Sequence, residues 1–143
     1  MLGIVLLITV IPPIAGIVAF RSGALKKPKA GEALLCAFPC LLWILMYYSL
    51  AMHMYQSLGA WPEVIGTQGF PAALLRHSDL TMMGFTVLFF FSLFVWPVAF
   101  AVTAWVERWR RYAARLAIYA ISYSAVWLLM FVTPSEFRNW WWD

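Results

Sequence analysis

The side chains best suited to chemistry gather around one stretch of the chain. His53 stands just ahead of it, Glu63 lies within it, and Arg76, His77 and Asp79 follow. Imidazole changes charge near neutral pH and ligates metals, and carboxylates complement it as ligands or proton acceptors. Brought together, this set would hold a divalent metal or move protons, as in a membrane enzyme. The spacing supports neither reading. His77 and Asp79 are two residues apart and do not share a helix face, and no pair carries a metal-ligand spacing. Asp79 also suits the N-cap of a following helix. The expected metal set is therefore empty. Axial ligation of a haem by two histidines is the remaining cofactor reading, with His53 and His77 as its ligands.

A second constellation is Cys36-Ala37-Phe38-Pro39-Cys40. Its i, i+4 spacing sets both thiols on one helix face, but it is not the C-x-x-C of a thiol–disulfide catalyst. Two cysteines inside an apolar run are no secreted disulfide framework either. They read as fillers of a helix interface, with acylation as the alternative.

The elements that position these residues follow from composition. The chain has 143 residues, of which 64% are hydrophobic and 11% charged. A soluble domain is about 25% charged. A chain this short cannot bury so much apolar surface, so lipid must be part of its solvent. The expected fold is all-α: one bundle of four transmembrane helices spanning about 2–20, 33–55, 80–105 and 113–132, with a long loop over about 56–79. Pro12-Pro13 and Pro97 predict kinks in the first and third spans, and Pro39 fits the first turns of the second. The first span starts at Met1 with no basic residue ahead of it, which reads as a retained anchor rather than a cleaved signal.

The net charge of +4 does not point to nucleic acid, because the basic residues are sorted by loop. Eight of them (Arg21, Lys26, Lys27, Lys29, Arg108, Arg110, Arg111 and Arg115) fall in the two short connections, while the opposite side carries only Arg76 and Arg138. The positive-inside rule then puts the short connections in the cytoplasm and both termini on the non-cytoplasmic side. A bacterial inner membrane is the expected location. Tryptophans agree with this layout. Trp105 and Trp109 mark the inner interface, and Trp61 with Trp140, Trp141 and Trp142 the outer one. Trp43, Trp96 and Trp127 fall deeper, where each indole N–H needs a partner.

Two surfaces follow. The loop residues Trp61, Pro62, Phe70 and Pro71, with Trp140 to Trp142, form an expected interaction face at the outer interface. Ala113, Ala117, Ala120 and Ser124 recur at spacings of four, three and four, a small-residue stripe for close helix packing. No Asp, Glu, Lys or Arg falls in the middle of a span, which argues against a carrier of charged substrates. The expected function is a small non-catalytic membrane subunit of a larger, energy-converting complex. Its partners would be membrane lipids, other integral subunits or pigments. The alternatives are the enzyme or haem protein built on the outer polar set, and a carrier for a lipid or other apolar molecule.

Overall fold

The computed structural model describes residues 29–62 and 66–142, together with Ile14. The expected first span, the basic residues Arg21, Lys26 and Lys27, and Glu63 lie outside the described residues. All regular structure among the described residues is helical. Helix α1 covers Ala30–Leu58, α2 covers Ala72–Trp105, α3 covers Arg110–Phe131 after a short 3₁₀ turn at Glu107–Trp109, and α4 covers Ser135–Trp142.

Three of these elements are long and apolar enough to cross a membrane: Ala30–Leu58, Ala72–Trp105 and the run Glu107–Phe131. Large apolar side chains stay on their outer surfaces, among them Leu35, Leu45, Met83, Val87, Phe94 and Leu128. An apolar exterior on this scale fits a helical membrane protein.

Each helix buries one stripe. In α1 the buried positions are Cys40, Trp43, Ile44, Tyr47, Leu50, Ala51 and Met54, a three-and-four spacing that keeps one face inward. This face packs on both α2 and α3. In α3, Ala113, Ala114, Ala117 and Ala120 are buried. Their small side chains bring backbones close, which is how helices associate where lipid removes the hydrophobic incentive. Ser124, four residues on, is half-buried.

The start of α2 departs from expectation. The loop expected over 56–79 spans only 59–71, and α2 begins at Ala72 rather than near Leu80. The polar run Arg76-His77-Ser78-Asp79 looks like loop by composition. Pro71, extended at φ −58° and ψ 146°, is followed by Ala72-Ala73-Leu74-Leu75, all good helix formers, so the helix starts there. Asp79 consequently lies in the helix and caps nothing. At the other end of the loop, Gly59 closes α1 in the left-handed conformation at φ 73°, its N–H bonded to Tyr55 O.

Proline shapes the middle of α2. Pro97 has no N–H for the carbonyl four residues back, and its ring would strike that carbonyl. The helix widens to a π turn over Phe91–Val95, where the Trp96 N–H reaches back five residues to Phe91 O. At this turn Ser92 Oγ donates to Leu88 O at 2.7 Å and lies 2.7 Å from the Tyr119 hydroxyl of α3. The deep indoles also find partners: Trp96 Nε1 donates to Leu116 O at 2.8 Å, and Trp43 Nε1 to Thr81 O at 3.4 Å.

The C-terminal stretch, expected as a tail, is helical and folds back onto the bundle. Thr133 ends α3, its hydroxyl donating to Met130 O at 2.6 Å while accepting from Tyr47 at 3.3 Å. Helix α4 then inserts Phe137 and Trp141 among Trp43, Tyr47 and Phe85. Phe137 is 0% and Trp141 5% exposed.

Candidate functional site: an end-to-end histidine pair

His53 sits in the last turns of α1 and His77 in the second turn of α2, so the short loop brings them face to face. The two Nδ1 atoms are 3.0 Å apart and the ring centroids 5.3 Å apart, with the planes inclined at 36°. The centroid separation is the nitrogen separation plus one ring radius at each end. The rings therefore lie end to end, with their Nδ1 lone-pair axes on one line.

That line sets how the two rings meet. Two imidazoles on a single metal point their axes at a common centre off the N···N line, at metal–nitrogen distances of about 2 Å, and this shortens the distance between ring centres. Axial haem ligation would part the nitrogens to about 4 Å, with iron and porphyrin between them. The helices bring the two rings into direct contact with each other. That contact is a linear imidazole–imidazole hydrogen bond, with the proton on one Nδ1 and the lone pair on the other.

The neighbouring bonds fix which is which. Ser49, four residues before His53 and on the same face of α1, donates its hydroxyl proton to Met46 O at 2.9 Å. Its oxygen lies 3.1 Å from Nε2 of His77, and with the hydroxyl proton on Met46 O it accepts there. In that arrangement His77 carries its proton on Nε2 and accepts at Nδ1, and His53 donates from Nδ1. The chain runs in one direction: His53 to His77 to Ser49 to the Met46 carbonyl. Among the described residues nothing hydrogen-bonds Nε2 of His53. Both rings are half-buried and Ser49 is exposed.

The rest of the predicted polar set does not converge. Arg76 and Asp79 are exposed, and Asp79 lies about 200° around α2 from His77. Glu63 is outside the described residues. Among the described residues no three of His, Cys, Asp and Glu form a metal-sized group. Ser49 was missed as a member of the site; its signal is the i, i+4 relation to His53.

The aromatic residues expected as an interaction face are arranged around the same end. Trp61 packs on Tyr55 and Phe137 at 5.0 and 5.9 Å. Phe70 packs on Trp140 at 5.7 Å, and Trp140 Nε1 donates to Gly66 O at 2.8 Å, tying α4 to the loop. Trp142 stacks on Trp127 of α3 at 5.4 Å. Trp61, Pro62, Phe70 and Trp140 are half-buried, Trp141 is buried, and Pro71 and Trp142 are exposed. The cysteines are both reduced, Cys40 buried and Cys36 half-buried.

Comparison with protein-family models, curated proteins and solved structures returned no match. The functional reading therefore rests on the residues alone.

Proposed function

We propose that this chain is a small, non-catalytic integral membrane subunit that works by packing against other membrane proteins. The observation that carries the reading is the flank of α2. It is the least buried of the three long helices, and it presents Met83, Val87, Phe90, Phe94, Val95 and Val98 outward, with Phe90 and Phe94 stacked at 5.9 Å. The histidine pair supports it from the other side. The protons that fix the pair are met inside the chain and the sequence of bonds ends on a backbone carbonyl, so it clasps α1 to α2 rather than presenting an activated group.

In this reading four helices span a bacterial inner membrane with both ends outside, following the sorted arginines and lysines. The histidine end then faces outward, and the end bearing Arg108, Arg110, Arg111 and Arg115 faces the cytoplasm. Extraction in a mild detergent followed by native mass measurement tests the assignment. A species heavier than one chain, containing other membrane proteins, is expected. A clean monomer near 16.4 kDa overturns it.

One observation favours a second reading. The open Nε2 of His53, its ring oriented through Nδ1 by His77, has the arrangement of a base held by a third group. If the pair exchanges protons in a membrane enzyme, His53→Ala abolishes the activity of the intact assembly. Unchanged activity leaves the clasp reading standing.

A further inference from the structure

The arginine end contains a feature that meets the packing flank only at Val87 and Met83. Among the described residues a groove of about 400 Å³ opens between all three long helices, walled by Leu35, Pro39, Val87, Leu88, Phe91 and Leu116, with Arg115 also lining it. A second hollow of about 290 Å³ continues it along the seam of α1 and α2 toward Met46 and Met83, sharing Pro39, Val87 and Leu88. From Leu35 to Met46 the joined groove is about 16 Å long. Three local features open it. Pro39 is compact, Gly84 has only hydrogen where Trp43 passes (a Cβ there would stand 3.4 Å from the indole), and the π turn offsets Phe91.

Arg115, which lines the groove, belongs to a basic cluster. Arg111 and Arg115 stand over the ring of Tyr112, with guanidinium carbons 4.8 and 5.3 Å from its centroid. Arg111 also donates to the Tyr112 hydroxyl at 2.9 Å. Arg115 is paired with Glu32 at 2.7 Å, the one ion pair among the described residues. Arg111 has no carboxylate partner among them. Stacked guanidiniums present planar forks that suit a phosphodiester.

We propose that this groove holds one acyl chain of an anionic phospholipid, with the headgroup phosphate seated at Arg111, Tyr112 and Arg115. The chemistry separates the two parts. An acyl chain gains little by leaving one apolar medium for another, so the groove sets the place and the headgroup sets the preference. Cationic side chains near a membrane surface each favour an anionic lipid by a factor of roughly five. Glu32 opposes that preference by occupying Arg115.

The test uses the full chain in detergent, stripped stepwise and then offered phosphatidylglycerol or phosphatidylcholine in mixed micelles, with bound lipid counted by native mass spectrometry. One phosphatidylglycerol retained per chain, in preference to phosphatidylcholine, is expected. Val87→Trp fills the groove where its parts meet. Val87 is 66% exposed, so the fold tolerates the change, and retained lipid should be lost. Arg115→Gln should lower the preference for phosphatidylglycerol about five-fold, whereas Glu32→Gln, which frees the same arginine, should raise it. A purely structural ion pair would make both substitutions act alike. Equal retention of the two lipids, retention unchanged in Val87→Trp, or the two ion-pair variants moving together overturns the proposal.

Discussion

A hydrogen bond between two imidazoles is directional, and its neighbours set the direction. With the Ser49 proton on Met46 O, His77 donates from Nε2 and His53 takes the Nδ1–H form. Nitrogen NMR of the purified chain should show the two histidines as opposite neutral tautomers; two Nε2–H forms would show that the bond is not made. The same pair predicts a coupling. His53→Ala and His77→Ala should each lower stability in detergent. The double variant should fall short of their sum by about 1 kcal/mol, the usual worth of a made hydrogen bond. Strict additivity would mean the rings do not interact. At this scale the sequence was half legible. Ser49 and His53 share a helix face by spacing alone, but His77 is 24 residues further on and faces them only because the helix starts at Ala72.

At the scale of elements, the three apolar helices were legible because run length and missing charge suffice to find them. The beginning of α2 was not, since Arg76, His77 and Asp79 look like loop when polarity is weighed above helix propensity. Nor was α4. Tryptophan suits a membrane interface and an aromatic core equally, and nothing in Trp140-Trp141-Trp142 says which one the chain uses. The fold makes α4 a wedge, and a prediction follows from its geometry. Trp141→Ala should cost about 3–5 kcal/mol of stability by vacating a site against Trp43, Tyr47 and Phe85. Glu136→Ala, exposed on the same helix, should stay within about 0.5 kcal/mol. Denaturant titration in micelles measures both, and equal effects would show α4 to be undocked. Pro97 was read as a kink. The chain accommodates it with a π turn just ahead, which also aims Ser92 at Tyr119.

The molecule as a whole has a polarity of its own. One end carries the paired imidazoles of His53 and His77, and the other carries Arg108, Arg110, Arg111 and Arg115, the last of them lining the groove. If the positive-inside rule orients the chain, a cysteine replacing Gln68 in the loop will react with an impermeant maleimide added outside intact cells. One replacing Glu107 will react only after permeabilisation, both in a background with Cys36 and Cys40 changed to alanine. The reverse pattern would invert the topology.

The stacking of Trp142 on Trp127 at 5.4 Å and 13°, beside the edge-on contact of Trp141 with Trp43 at 6.3 Å and 61°, places indoles close enough to share their electronic excitation. The protein therefore carries an optical gauge of its own closure. With α4 seated, the near-ultraviolet circular dichroism should contain a paired band from the coupled indoles and the emission should be blue. Any event that lifts the helix separates the chromophores and exposes them, so both signals change together without an added label.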